Sequence, residues 1–524
     1  MMDSTTFTDM ATPGSYPFLE LAIELQVKIL LELNLGDLTK CTRVCTALRS
    51  LLVSEAAIQY KMELVRAGMV DGRSEVPLTA KLEKLRARNT AWDTGFPLHT
   101  VMVHPDVKAR AGGFFMSEDN SGSHLAWRLH RPAWPGLKTS GGLDEMSWLL
   151  DLKQYLPQLT MPNIDAWAVN PEEDMFVFTK TLPGDEIPHC IVLTLSQDRT
   201  PQLLTAQPLL SAPIYPELGS VGDLIAWEQT GMEDADVMAG VINWKTWAVV
   251  WQYGPRIEGR FLILDPSHVL IFNIRGLFVY KFDPNASPAM PARPASEEDY
   301  LLHLALPKLK DDTGVVATRV HEHGPRYFRS DRPLFREDPD LDVLALYIQT
   351  YAEARWSYVR DRLLLVVPFT TIRKRLEALA QVQPEERQFS QSVPWDQWGP
   401  DGARLLKLGA SPHAISVMGS RVAIPFRNYS SPNNLDIYIV DVRPKSEQES
   451  FIGYERDVSS ALGAPLGGID ASDTIQELQS FAEPVTTTLP YRMTYLKAWL
   501  HDDSKVAETQ GLAHDGMVIA YRPL

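Results

Sequence analysis

Few residues in this chain are spaced to do covalent chemistry. His321-Glu322-His323 is the tightest histidine cluster, and alternate histidines on a strand would share one side and offer two metal positions. Sequence places no third ligand with them and Gly324-Pro325 follow at once, so the segment reads as a solvated loop rather than a closed site. Glu233, Asp234 and Asp236 crowd a polar turn before Val237, where they bend the chain more readily than they hold a cation. Cys41, Cys45 and Cys190 are too few for a disulfide framework in 524 residues and fit a reducing compartment. Cys41 and Cys45, four apart on predicted helices, read as small buried side chains. The sequence has no phosphate-binding glycine loop, no Gly-x-Gly-x-x-Gly after a strand, no Gly-x-Ser-x-Gly elbow, no His-Glu-x-x-His and no calcium loop. No catalytic residue, metal or cofactor is therefore expected, and a hydrolase, kinase or dehydrogenase is disfavoured.

Binding chemistry has more material. Trp395 and Trp398, with Pro394, make the densest aromatic turn, and tryptophan is enriched at binding hot spots. Tryptophan also fills space between sheets, and packing is the preferred reading here. The same applies to Trp244, Trp247 and Trp251, whose spacing does not put all three rings on one strand face. Arg373-Lys374-Arg375 is expected as a solvated helix face. A formal net charge of -16 repels phosphate backbones and argues against nucleic acid as the main partner.

Composition and length set the frame for these residues. Hydrophobic content of 45% and charged content of 22% are those of an ordinary globular protein, and 524 residues exceed one compact core. The opening residues lack Lys, Arg and a sustained apolar run, so 1–16 is expected as a flexible tail, neither secretory signal nor presequence. Leu363 to Phe369 is the longest apolar stretch and falls far short of the roughly 20 residues that span a membrane. The expected location is cytoplasm and/or nucleus, with no membrane partner.

The N-terminal elements carry the sharpest pattern. Leu25, Ile29 and Leu33 recur at four-residue steps with Leu21, Ile23, Leu30, Leu31 and Leu35 beside them, so the first helix is apolar over more than one stripe. Gly36-Asp37-Leu38 reads as a break with Asp37 as an N-cap, and Val44, Leu48 and Leu51 or Leu52 mark a third short helix. A unit this small seldom stands alone, and its surplus apolar area predicts a docking module with a partner protein.

The order Leu21-x-x-Glu24-Leu25, Ile29-Leu30, Leu33, Asp37-Leu38, Val44-Cys45 and Leu48 resembles the F-box, the adaptor-binding motif of substrate receptors in Skp, cullin and F-box ubiquitin ligases. The likeness covers about a tenth of the chain. Ala22 stands where the family usually has proline, and Leu48 where it usually has tryptophan. The resemblance implies that Leu21, Ile23, Leu25, Ile29, Leu30, Leu33, Leu35, Leu38, Val44, Cys45 and Leu48 form the surface shared by the module's core and a Skp-type adaptor. It implies that Glu24 caps or salt-bridges near the helix start, where the dipole favours negative charge. Through the adaptor a cullin would be reached, with no cofactor. The F-box is placed at 17–59 and a helical connector at 60–95, the latter with a helix over Leu78 to Trp92 and similar to linkers of fungal F-box proteins.

From Phe96 to Leu524 short apolar runs alternate with Pro, Gly, Asn and Asp, which predicts a large all-β body. Examples are Ala166–Thr179, Ile191–Leu195, Val237–Gln252, Val269–Asn273, Leu277–Phe282, Arg362–Pro368 and Leu435–Val442. Its size favours a β-propeller of about seven blades with long loops. Val241 to Thr246 followed by Ala248 to Val250 resembles the strand and turn of WD-type propellers, as does Leu435 to Asp441. Asp283–Asp299 and Pro325–Asp342 are expected as surface loops. The whole reads as a multidomain chain, a small all-α F-box and helical linker before a propeller that binds an unknown substrate protein. The alternative is a non-degradative scaffold or sensor whose propeller binds a small molecule or protein.

Overall fold

The computed structural model describes residues 17–94 and most of 107–523; the larger stretches left aside are 119–125, 132–145, 155–163, 182–187, 196–201, 209–215, 230–238, 287–294, 321–330, 382–390, 428–433 and 443–472. His321, Glu322, His323, Glu233, Asp234 and Asp236 lie outside the described residues, as does the tail 1–16.

The N-terminal part is helical: α1 (Pro17–Glu20), α2 (Ile23–Glu32), α3 (Leu35–Cys41), α4 (Thr46–Ser54), α5 (Ala56–Ala67) and, after the short strand β1 (Met69–Asp71), α6 (Leu78–Thr94). Helix α5 runs unbroken through the expected division at 59/60. The break expected at Gly36 is absent, because Asn34 rather than Asp37 is the cap of α3. Asn34 Oδ1 accepts the Asp37 N–H at 2.9 Å, and the Asp37 carboxylate accepts from Asn34 Nδ2 at 2.9 Å. The Asn34 side chain satisfies the Asp37 N–H at the helix start and is itself held by the Asp37 carboxylate, so Gly36 continues the turn.

The β body is a propeller of six antiparallel sheets taken in chain order. Sheet one holds β2 (Val107–Ala111), β3 (Phe114–Glu118), β4 (Ala126–Arg131) and β5 (Met146–Asp151). Sheet two holds β6 (Ala166–Asn170), β7 (Met175–Thr181), β8 (Pro188–Thr194) and β9 (Gln202–Pro208). Sheet three holds β10 (Pro216–Val221), β11 (Leu224–Gln229), β12 (Ala239–Asn243) and β13 (Ala248–Tyr253). Sheet four holds β14 (Gly259–Asp265), β15 (His268–Asn273), β16 (Gly276–Lys281) and β17 (Leu302–Ala305), extended in parallel by β22 (Gln391–Val393). Sheet five holds β18 (Thr313–Val320), β20 (Val343–Ala352), β21 (Arg355–Pro368) and β23 (Arg404–Lys407), interrupted by β19 (Phe335–Glu337) and by helices α7 (Phe369–Gln381) and α8 (Trp395–Gly402). Sheet six holds β24 (Ser416–Met418), β25 (Arg421–Arg427), β26 (Asn434–Asp441) and β29 (Arg492–Trp499), with β27 (Asp473–Ile475) and β28 (Val485–Thr487) paired between its last two strands.

First strands of neighbouring sheets touch, β6 with β10, β10 with β14 and β14 with β18. A final hairpin, β30 (Lys505–Ala513) and β31 (Gly516–Pro523), lies with β30 against both β24 and β2, which brings the ends of the body together. Six blades among the described residues, five of four strands and one of five, correct the expected seven. Between the described strands of sheet five the chain also forms α7 and α8.

Sheets two to five carry an apolar cluster on each face, which is why their central strands read as continuous apolar runs instead of alternating ones. Val343 and Ala345 pack toward sheet six, while Leu344, Leu346 and Ile348 of the same strand pack toward sheet four. Leu364 and Val366 divide from Leu363, Leu365 and Val367 in the same way. Clusters of this kind fill the junctions one–two, two–three, three–four, four–five and five–six. The expected hairpin over Val269–Tyr280 is β15 and β16, and Asn273 Oδ1 closes its turn by accepting from the N–H of Arg275 at 2.8 Å and of Gly276 at 3.3 Å. The tryptophans pack as expected: Trp398 is fully buried, donates from Nε1 to Ala305 O at 2.8 Å and meets Trp395 edge-on, and Trp251 stacks between Tyr253 and Phe261.

Candidate protein-docking surface and its joint to the propeller

The N-terminal helices sort their apolar residues into two sets. Leu30, Leu35, Leu38, Leu51, Leu52, Ile58 and Met62 form a closed core, with Leu33, Cys41 and Leu48 half-buried against it. Leu21, Ile23, Leu25, Ile29 and Val44 stay exposed, from 38% at Leu21 to 70% at Val44. Leu25 and Ile29 stand one helical turn apart, and so do Gln26 and Leu30, one pair facing out and the other in. Glu24 is exposed in the first turn of α2, and Cys45 caps α4, its Sγ accepting from the Leu48 N–H at 3.5 Å.

Local chemistry holds the outward set in place. Ala22, where the resemblance expects proline, sits at φ −53°, the angle a proline ring would preset. Its side chain offers no cap. Gln26 instead donates from Nε2 to Leu21 O at 2.7 Å and to Leu19 O at 3.3 Å, pinning the α1–α2 turn from inside. Lys61 of α5 donates to Leu31 O near the end of α2. Fully burying a Leu or Ile side chain is worth roughly 1.5–3 kcal/mol, so four about half-exposed ones leave on the order of 3–6 kcal/mol to be gained by covering them.

The opposite side of the helical unit is a joint with the propeller. Residues 331–342, expected as a surface loop, form instead a strap whose β19 pairs antiparallel with β1, Met69 opposite Glu337 and Asp71 opposite Phe335. Leu334 and Phe335 are buried among Tyr60, Leu64, Ala67, Met69, Leu82 and Leu85. The Tyr60 hydroxyl lies 2.8 Å from Asp71 Oδ1 and 3.0 Å from Leu334 O; burial, then the bond to Asp71, raises its pKa well above the usual tyrosine range. Helix α5 ends on Gly68 in the left-handed region at φ 66°, and its carbonyl accepts the Asp338 N–H at 3.1 Å. Gly72 passes so close to the strap that a Cβ there would lie 1.8 Å from Pro333 O.

Charges at the joint are buried and paired. Arg88 of α6, 2% exposed, faces the Glu337 carboxylate, 6% exposed, at 3.7 Å and lies over the rings of Trp92 and Phe335. Arg421 of β25 pairs with Asp441 at 3.3 Å, donates to Ala67 O at 3.3 Å and sits 4.9 Å from the Trp92 ring. Arg131 of β4 holds Asp331 through both carboxylate oxygens, at 2.5 and 3.0 Å. Arg131 and Asp331 stand 200 residues apart, and Arg88 and Glu337 are likewise remote in the chain, so no local pattern signals those two pairs.

The described residues contain no group of three or more His, Cys, Asp and Glu placed to hold a metal, and no described helix is long and apolar enough to cross a membrane. Arg373 pairs with Asp340 at 3.0 Å on an exposed face, and Arg375 donates to Gln397 O, so the basic run sits on a solvated helix.

No known family profile and no curated protein matches the chain. Among solved structures it is similar to the WD40 domain of SCAP from fission yeast, 9% identical over 80% of this chain and 81% of that one, TM-score 0.32. Others are Chaetomium thermophilum Sqt1, 10% identical over 81% and 82%, TM-score 0.29, and Citrobacter koseri AztD, 12% identical over 76% and 92%, TM-score 0.27. Likeness at these scores carries no argument, and the propeller arrangement rests on the strand registers and shared clusters described above.

Proposed function

We propose that this chain is the substrate-recognition subunit of a Skp, cullin and F-box type ubiquitin ligase, docking a Skp-type adaptor on the outward face of α1 to α4 and a substrate protein on the propeller. One observation carries the reading: Leu21, Ile23, Leu25, Ile29 and Val44 remain exposed although the module already has a closed core. Large apolar side chains left exposed on a small unit that already has a closed core are candidates for cover by a partner. The motif order that resembles the F-box supplies the kind of partner. The chain forms no covalent bond itself; it acts by raising the local concentration of a substrate lysine beside the conjugating enzyme. Such a receptor works in cytoplasm or nucleus.

The test is Leu25→Asp combined with Ile29→Asp in the full chain. Each carboxylate would be desolvated in the docked state, so co-purification with a Skp-type adaptor should fall more than about a hundredfold. Both sites face solvent, so the melting temperature should hold. Retained adaptor binding, or no binding by the unaltered chain, rejects the assignment.

A further inference from the structure

We infer that the strap 331–342 and helices α5 and α6 form a latch that closes the propeller ring between sheet six and sheet one. The inference concerns the β body and stands whether or not the helical face binds an adaptor. It rests on where three sets of contacts converge.

The strap leaves sheet five after β18 and returns to it at β20. Between these points it reaches sheet one, where Asp331 is gripped by Arg131 of β4 with both groups more than nine-tenths buried. It also reaches the turn of sheet six, where Gly419 lies beneath Glu337 and its carbonyl accepts the Val343 N–H at 3.2 Å. Sheet six is in turn held by the helices: Arg421 bonds the last carbonyl of α5 and stacks on Trp92 of α6, and α6 touches β29. One contiguous body of helix and strap thus grips the first sheet and the last.

The backbone at that junction is thinner than at the others among the described residues. The other five junctions are filled by apolar clusters drawn from the two sheets that meet there. Among the described residues, the backbone between sheets six and one is the two-stranded β30–β31 ladder, which touches β24 and β2. A two-stranded hairpin is marginal by itself, so a ring closed there gains most from an external brace. The brace is made of charge pairs as well as apolar contacts. Buried ion pairs add little net stability, but a bidentate Arg–carboxylate contact tolerates few geometries and so fixes one position of sheet one against the rest.

The test is amide hydrogen exchange on the full chain, with three variants. Gly72→Ala pushes the strap backbone away by one methyl and leaves every ring residue intact; it should speed exchange at least tenfold in β30–β31 and sheet one while sheets two to four keep their protection. Asp331→Arg should do the same with the charge grip broken, and Asp331→Arg with Arg131→Asp should restore protection toward the original. If exchange rises only within 69–72 and 331–342, or rises evenly over all six sheets, or the swapped pair restores nothing, the latch is rejected.

Discussion

The two faces of the N-terminal helices treat apolar residues in opposite ways. Toward the propeller, Tyr60, Leu64, Leu82 and Leu85 are buried against Phe335, and the charges among them are paired. Away from it, Leu25 and Ile29 stand in solvent at comparable helical spacing. The β body resembles the first face: among the described residues, the large apolar side chains that stay exposed beyond Leu78 are Leu149, Leu203 and Leu204. Hydrophobic content therefore does not decide which surface is finished within this chain. What decides is whether some distant segment arrives to cover it.

That contrast can be broken in graded steps. Phe335→Ala removes a fully buried ring from the joint and should cost about 3–5 kcal/mol in chemical denaturation, whereas Ile29→Ala on the outer face should cost about 1 kcal/mol or less. A like cost at the two sites would erase the distinction. Glu337→Ala leaves Arg88 buried beside a lost partner and should cost about 3 kcal/mol, while Glu337→Leu with Arg88→Met should recover most of it, as measured by a double-mutant cycle. Failure to recover would mean that the pair does more than neutralise itself.

A smaller effect separates core from surface by pH. Burial between sheets two and three pushes the Cys190 thiol up to about 12 from 9.0. A raised folded-state pKa favours the neutral form, so its contribution is complete below pH 9 and is lost as pH climbs toward 12. Stability of the unaltered chain should decline more steeply across that window than that of Cys190→Ala, as read by urea midpoints. Equal slopes would place the thiol in contact with water. The smallest effect belongs to the exposed Arg332–Glu75 pair at 3.1 Å, where Arg332→Ala should change stability by less than about 0.5 kcal/mol although it lies next to the joint.

The strap shows most plainly why some of this was legible and some was not. Its Pro325–Asp342 stretch is dense in Arg, Asp and Pro, a composition that argues for solvent. Only Leu334-Phe335 hints otherwise, and a strand as short as β19 has no period to detect. The N-cap of α3 failed for a local reason, since Asn34 and Asp37 are both good capping residues and each could claim the role.

Sequence by itself determined the division into N-terminal helices and a β body, the apolar runs of strands buried on both faces, and the surplus of apolar area on α2. These are consequences of residue type and short-range periodicity, which act within a few residues. Tertiary structure alone decided that the described blades number six, that a charged stretch pairs as a strand with β1, and which part of the helical surface is left bare. Those outcomes depend on pairings such as Arg88 with Glu337 and Arg131 with Asp331, where burial of a charge is tolerable only because its counter-charge is delivered by a remote part of the chain.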